Sequence, residues 1–146
     1  MIIAIAADHG GIDLKEKIKE YLKTKHIEYI DYGINETESV DYPDYAHPVC
    51  EAITQGNTER GILVCGTGIG MSMTANKHAG IRAACCSDTY SAKLTRLHND
   101  ANVLCLGGRV VGDGLAMDIV ELFIETQFEG GRHSRRVEKV MSFDKK

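Results

Sequence analysis

Residues 61–77 read GILVCGTGIGMSMTANK. An apolar run from Gly61 to Cys65 breaks into a loop with glycines on alternate positions, Gly66, Gly68 and Gly70; MSMTANK (71–77) then opens a helix. A continuously apolar strand is buried on both faces, which calls for helices above and below a parallel sheet. A strand that turns on glycines straight into a helix is the repeating unit of such a sheet.

The same alternation extends in both directions. IIAIAA (2–7) predicts a first strand, and Ile12, Leu14, Ile18, Tyr21 and Leu22 a helical stripe after it. EYIDYG (28–33) is a weaker second strand; Tyr45, Ala46, Val49, Cys50 and Ile53, following Pro43, predict a helix ending near Gly56. IRAACC (81–86) gives a fourth strand and Tyr90, Leu94 and Leu97 its helix. NVLCLGG (102–108) gives a fifth strand and LAMDIVELFIETQF (115–128) a strongly amphipathic helix. The expected fold is a single α/β domain over residues 1–146, a three-layer α/β/α Rossmann-like sandwich with a five-stranded parallel sheet. The last segment, 129–146, has no strand of its own. Val137, Val140 and Met141 form a short apolar stripe in it, so it reads either as a basic tail or as a C-terminal helical arm docking on a second subunit.

A net charge of −4 excludes a general nucleic-acid binder, which is basic with a clustered patch. The longest apolar run is far short of a membrane span. The N-terminus, MIIAIAADHGG, lacks a basic leader and reads as a strand rather than a signal peptide. The five cysteines, an odd number without C-x-x-C spacing, suit reduced thiols in a cytoplasmic compartment, most of them in the core.

In open parallel sheets ligands bind outside the carboxyl ends of the strands. Those ends deliver Asp8 and His9, Cys65 and its loop, Ser87 and Asp88, then Gly107, Gly108 and Arg109. His98 and Asn99, just before the fifth strand, are expected near the same mouth. His26, His47 and His78 have no inferred role, and no histidine pair has helical metal-ligand spacing, so no metal is expected. The loop lacks the Gly-Lys-Ser/Thr of a Walker A motif and the G-x-G-x-x-G of a dinucleotide site. Its amides still favour an anion. Cys65 fits two descriptions, a small buried hydrophobe or a thiolate base. A cysteine-phosphatase loop would need arginine where Met71 stands. Arg132 and Arg136, four apart, share a helical face suited to phosphate, whereas Arg135 points elsewhere. A thiol, two histidines, an amide-lined loop and paired arginines match proton transfer on a small phosphorylated sugar.

The motifs ADHGG (7–11), DYPDYA (41–46), CGTGIGMSMTANK (65–77), GIRAA (80–84), HNDANVL (98–104), GGRVVG (107–112) and EGGRHSRRVE (129–138) run essentially end to end. In them the chain resembles the type B ribose-5-phosphate isomerase family, which also contains galactose-6-phosphate and allose-6-phosphate isomerases. With Cys65 present and Met71 where a second subtype carries glutamate, it is similar to the cysteine subtype. The resemblance implies interconversion of ribose 5-phosphate and ribulose 5-phosphate in the pentose phosphate pathway, with no metal or cofactor. It implies a homodimer whose sites are shared between subunits, some members pairing into tetramers. By resemblance, Cys65 moves the proton from C2 to C1 assisted by Thr67, and the amides of Gly66, Thr67, Gly68, Ile69 and Gly70 stabilise the oxyanion. His98 opens the furanose, Asp8 and Asn99 hold hydroxyls, and Tyr42 lines the pocket. His9, Arg109, Arg132 and Arg136 bind phosphate, some across the dimer. The competing expectations are a hexose-6-phosphate isomerase of the same family, a non-catalytic sugar-phosphate sensor and a thiol redox switch at Cys65.

Overall fold

The computed structural model describes residues 1–35 and 38–144. Its strands are β1 (Ile2–Ala7), β2 (Glu28–Asp31), β3 (Arg60–Cys65), β4 (Ala83–Cys85) and β5 (Val103–Gly107). Its helices are α1 (Ile12–Thr24), α2 (Tyr42–Thr54), α3 (Ile69–Ala75), α4 (Thr89–Asn99), α5 (Asp113–Glu125) and α6 (Arg132–Met141). The strands form one parallel sheet in the order β2-β1-β3-β5-β4. The three-layer expectation therefore holds.

Alternation along each strand sends successive side chains to opposite faces. Ile3, Ile5, Ile62, Val64, Leu104 and Leu106 pack beneath α1, α4 and α5. Ala4, Ala6, Leu63, Cys65, Val103 and Cys105 pack beneath α2 and α3. Steps of the chain toward the β2 edge use α1 and α4, and steps the other way use α2 and α3. Right-handed crossovers require that division.

The register fixes where the strand ends meet. Ala7 pairs with Val64, and Cys65 with Gly107. Asp8, Gly66 and Gly108 therefore emerge side by side. The chain leaves β1 toward one edge and returns to β3 on the other side, so Asp8 and Cys65 flank the point where strand order reverses.

Several boundaries differ from expectation. β4 covers Ala83–Cys85 rather than 81–86 because side-chain amides replace the ladder at its start. The Arg82 N–H donates to Asn102 Oδ1 at 2.8 Å, and Ala83 N–H to Asn76 Oδ1 at 2.9 Å. As a short edge strand it leaves Cys85 exposed rather than in the core. Asp88, expected at the mouth, caps α4 by accepting the Ser91 N–H at 2.7 Å. β2 stops at Asp31, whose carboxylate accepts the Gly33 N–H at 2.9 Å. α5 ends at Glu125, where Thr126 turns extended and its carbonyl accepts from the buried Arg96 guanidinium at 3.3 Å. The 129–146 segment forms a helix, α6, packed against α4, and its last two residues lie outside the described ones.

Lys15 is fully buried in α1, and its ammonium donates to Asp31, to the Ile34 carbonyl at 2.8 Å and to Asn35 Oδ1 at 2.9 Å. Burial pushes the Asp31 carboxyl up. The hydrogen bonds from Lys19, the Gly33 N–H and Lys15 outweigh it and hold the group below the ordinary carboxylate value. Removing one partner of a buried pair strands the other. Lys15→Met should therefore lower unfolding free energy by about 3–5 kcal/mol in denaturant titrations. Because Asp31 is depressed in the folded state, its contribution is present above the unfolded carboxylate range and is lost as pH falls toward the folded value. The gap between wild type and variant should narrow in acid.

Candidate active site

β1 ends in a turn built around Asp8. Its N–H donates to the Val64 carbonyl at 3.1 Å, and its carboxylate accepts the Gly10 N–H at 2.8 Å. A side chain at Gly11 would meet the Val64 carbonyl oxygen at 2.5 Å, so only glycine lets the turn lie against β3. Asp8 is thereby buried. His9 is exposed, and its Nδ1 accepts the Val40 N–H at 3.2 Å. In the neutral ring that leaves Nε2 as the donor, available to an anion.

β3 carries the thiol. Cys65 is buried, and its Sγ accepts the Gly68 N–H at 3.0 Å. Gly68 makes this possible with φ at 79°, a left-handed conformation natural to glycine. A Cβ there would strike the Leu106 backbone at 2.9 Å. The Thr67 hydroxyl is exposed and accepts from the Ile69 N–H at 3.4 Å. The Tyr42 ring covers Gly70, where a Cβ would lie 2.8 Å from it. Across the loop the Gly108 N–H donates to the Cys65 carbonyl and the Arg109 N–H to that of Gly66. The Arg109 guanidinium then lies over Gly66, with Nη1 3.5 Å from where a Cβ would stand. Asp8, His9, Tyr42, the 65–70 loop and Arg109 thus form one mouth around a sulfur aimed at by an amide.

The other cysteines are not equivalent. Burial raises Cys50 to about 12 and Cys86 to about 11, and pushes Cys105 well above the ordinary thiol value. These three are core hydrophobes. Cys85 is also raised, first by burial and then by Cys65.

The structure corrects one expectation about the mouth. His98 and Asn99 lie at the opposite end of the sheet. α4 starts at Thr89, beyond the carboxyl end of β4, and runs back to Asn99, beside the amino end of β5 at Val103. Cys65 lies level with Gly107 at the other end of β5, four residues or roughly 13 Å away. Arg132 and Arg136, on α6, accompany His98 and Asn99. A cleft of about 330 Å³ there is lined by Arg82, Asn99, Arg136 and Val140. The chain therefore places the expected site residues in two separate clusters, one at each end of the sheet. Sequence order hid this, because a helix end and the strand that follows it look adjacent to a mouth at the far end of that strand.

Two histidine clusters were also invisible in the spacing. His47 Nδ1 lies 2.7 Å from His78 Nε2, joining α2 to the turn after α3. His98, Glu129 and His133 bring three ligand atoms within 4.8 Å of one another. The two imidazoles are stacked at 4.2 Å with planes 7° apart, so their in-plane lone pairs run side by side instead of converging on one ion. No helix among the described residues is long and apolar enough to cross a membrane.

Comparison with known proteins agrees with this geometry. The sequence profile of the Ribose/Galactose Isomerase family matches residues 3–140. Ribose-5-phosphate isomerase B of Escherichia coli is 49% identical over 144 residues, 99% of this chain and 97% of that protein. A D-erythrulose-4-phosphate isomerase of Pectobacterium atrosepticum is 49% identical over 139 residues, 94% of this chain and 91% of that protein. The solved ribose-5-phosphate isomerase B of Clostridium thermocellum superposes with a TM-score of 0.97 at 51% identity, covering 99% of this chain and 97% of that one. A family match over residues 3–140, with relatives about half identical along nearly their whole length, places the chain in the ribose/galactose isomerase family, the aldose–ketose isomerases of sugar phosphates.

Proposed function

We propose that the protein interconverts ribose 5-phosphate and ribulose 5-phosphate, using Cys65 as the base. The observation that carries this is the Gly68 N–H aimed at Cys65 Sγ at 3.0 Å, inside the glycine loop that follows β3. Cys65 as thiolate removes the proton from C2 of the open-chain aldose, and the electrons pass into the carbonyl to give an enediolate. The amides of residues 66–70 stabilise the oxyanion, where preorganised donors contribute most. Cys65 returns a proton to C1, exchanging it with solvent on a fraction of turnovers, and the O2 proton moves to O1. Thr67 closes the rim of the loop and assists Cys65.

A cyclic aldose must open first. His98 takes the anomeric O1 proton and supplies one to the ring oxygen. His98 stands at the amino end of the sheet, so the copy that serves a given Cys65 belongs to a second subunit. The working unit is then a homodimer, each site joining the Cys65 mouth of one chain to His98, Asn99, Arg132 and Arg136 of the other. Asp8 and Asn99 hold hydroxyls, Tyr42 walls the pocket, and His9, Arg109, Arg132 and Arg136 grip the phosphate. α6 docks as the arm that brings its arginines across. Residues 1–146 act as one domain, and the free thiols suit a reducing, cytoplasmic setting.

A panel of ribose 5-, erythrose 4-, allose 6- and galactose 6-phosphates, ranked by kcat/KM, tests the substrate. Ribose 5-phosphate should lead by at least about 10-fold, the discrimination of one or two carbon units in a closed pocket. A hexose phosphate at the top would move the assignment to the hexose branch.

A further inference from the structure

We propose that His133, together with Glu129, is a positioning pair for His98, holding the ring-opening imidazole in one orientation and one tautomer. This rests on the role given to His98 above. His133 is the only buried residue of α6 and is 3% exposed, so the arm is anchored by this imidazole. What it packs on is His98, face to face at 4.2 Å and 7°. The outer torsion of histidine is broad and two-fold, and a flat partner on one face narrows it.

The polar contacts assign the protons. Arg132 Nε donates to His133 Nε2 at 3.4 Å, which occupies that lone pair and keeps His133 neutral with its proton on Nδ1. Glu129 Oε2 lies 3.7 Å from the same nitrogen and 3.6 Å from His98 Nε2. With His133 Nε2 already accepting, the carboxylate is left to His98 and favours a proton on its Nε2. His98 Nδ1 then exchanges protons with the sugar. The charged groups facing the pair are Glu129 from the loop before α6, Arg132 and Arg136 from α6, and His98 from α4. Burial, then the neighbouring His98, Arg132 and Arg136, lower His133 against the pull of Glu129, in keeping with a neutral ring.

Ribulose 5-phosphate cannot form a furanose, because its O5 carries the phosphate. Deuterium wash-in at C1 of ribulose 5-phosphate in D₂O therefore reads the Cys65 step without the ring step. In the full-length enzyme, His133→Ala should lower ribose 5-phosphate turnover by about 10²-fold, the cost of a group misplaced by an ångström. It should leave wash-in within a few fold. His133→Phe keeps the stack and should restore most of the lost turnover. Glu129→Gln removes the negative charge beside His98, weakens the hold on its Nε2 proton and should lower ribose turnover several-fold with wash-in unchanged. Parallel losses of turnover and wash-in in His133→Ala, or an intact ribose turnover in His133→Ala or Glu129→Gln, would each overturn the pairing. His98→Ala separates the two levels. Intact ribose turnover there sinks the ring-opening role itself, whereas its loss beside a normal His133→Ala sinks only the positioning.

Discussion

Cys65→Ala should lower kcat by about 10²–10⁴-fold, the usual worth of a positioned base, while KM stays within a few fold. The variant keeps every group assigned to hold the sugar: Asp8, Tyr42, the loop amides and the arginines. It loses only the atom that Gly68 N–H points at. Burial holds Cys50, Cys86 and Cys105 far from the thiolate form, and Cys85, also raised by burial and by Cys65, turns its thiol to the Thr67 carbonyl at 3.6 Å. The fold should hold, since one small buried side chain is replaced by another, at a cost on the order of 1 kcal/mol. Coupled measurement of ribulose 5-phosphate formation, beside a melting curve, checks both halves. Retained turnover in a folded Cys65→Ala protein would remove the thiol from the mechanism and pass the role of base to another residue of the mouth.

The second large effect is a gain. Cys65→Ala and His98→Ala should each be nearly inactive alone and active when mixed. In a heterodimer of the two, one composite site carries both lesions and the other carries neither. With free exchange of subunits half the dimers are mixed and half their sites intact, so recovery should approach about a quarter of wild-type activity. Activity assays after co-refolding or prolonged mixing read this directly. A mixture no better than its components would show that His98 and Cys65 work within one chain, which the strand spacing between them opposes.

The fold was legible because its signal is local. The apolar run of β3, the glycine turn and the α3 segment each declare themselves over a few residues, and the register follows from burial on both faces. The Cys65 mouth was legible for the same reason: Asp8, Cys65 and Arg109 all sit just past strand ends, where topology gathers them. The amino-end half-site was not. His98 precedes the expected fifth strand by only four residues, and only the course of α4 reveals which end of the sheet it reaches. His133 was hidden more deeply. It lies thirty-five positions from His98, and its burial depends on how α6 folds back on α4, which no local pattern encodes. The ends of β4 and α5 shifted because the side chains of Asn76, Asn102 and Arg96 replaced backbone partners, a trade that apolar periodicity does not record.

The opposite-ended half-sites bear on how so short a chain keeps water from an enediolate. An open sheet exposes its cleft, and enzymes of this architecture commonly cover it with a hinged lid or an inserted domain. Under the shared-site assignment the cover is the neighbour's arm. Shielding is then set by subunit association instead of by loop closure, and no part of the sequence has to open and shut on each turnover. Under that assignment the sheet is used at both ends, one for its own chemistry and one as another molecule's roof.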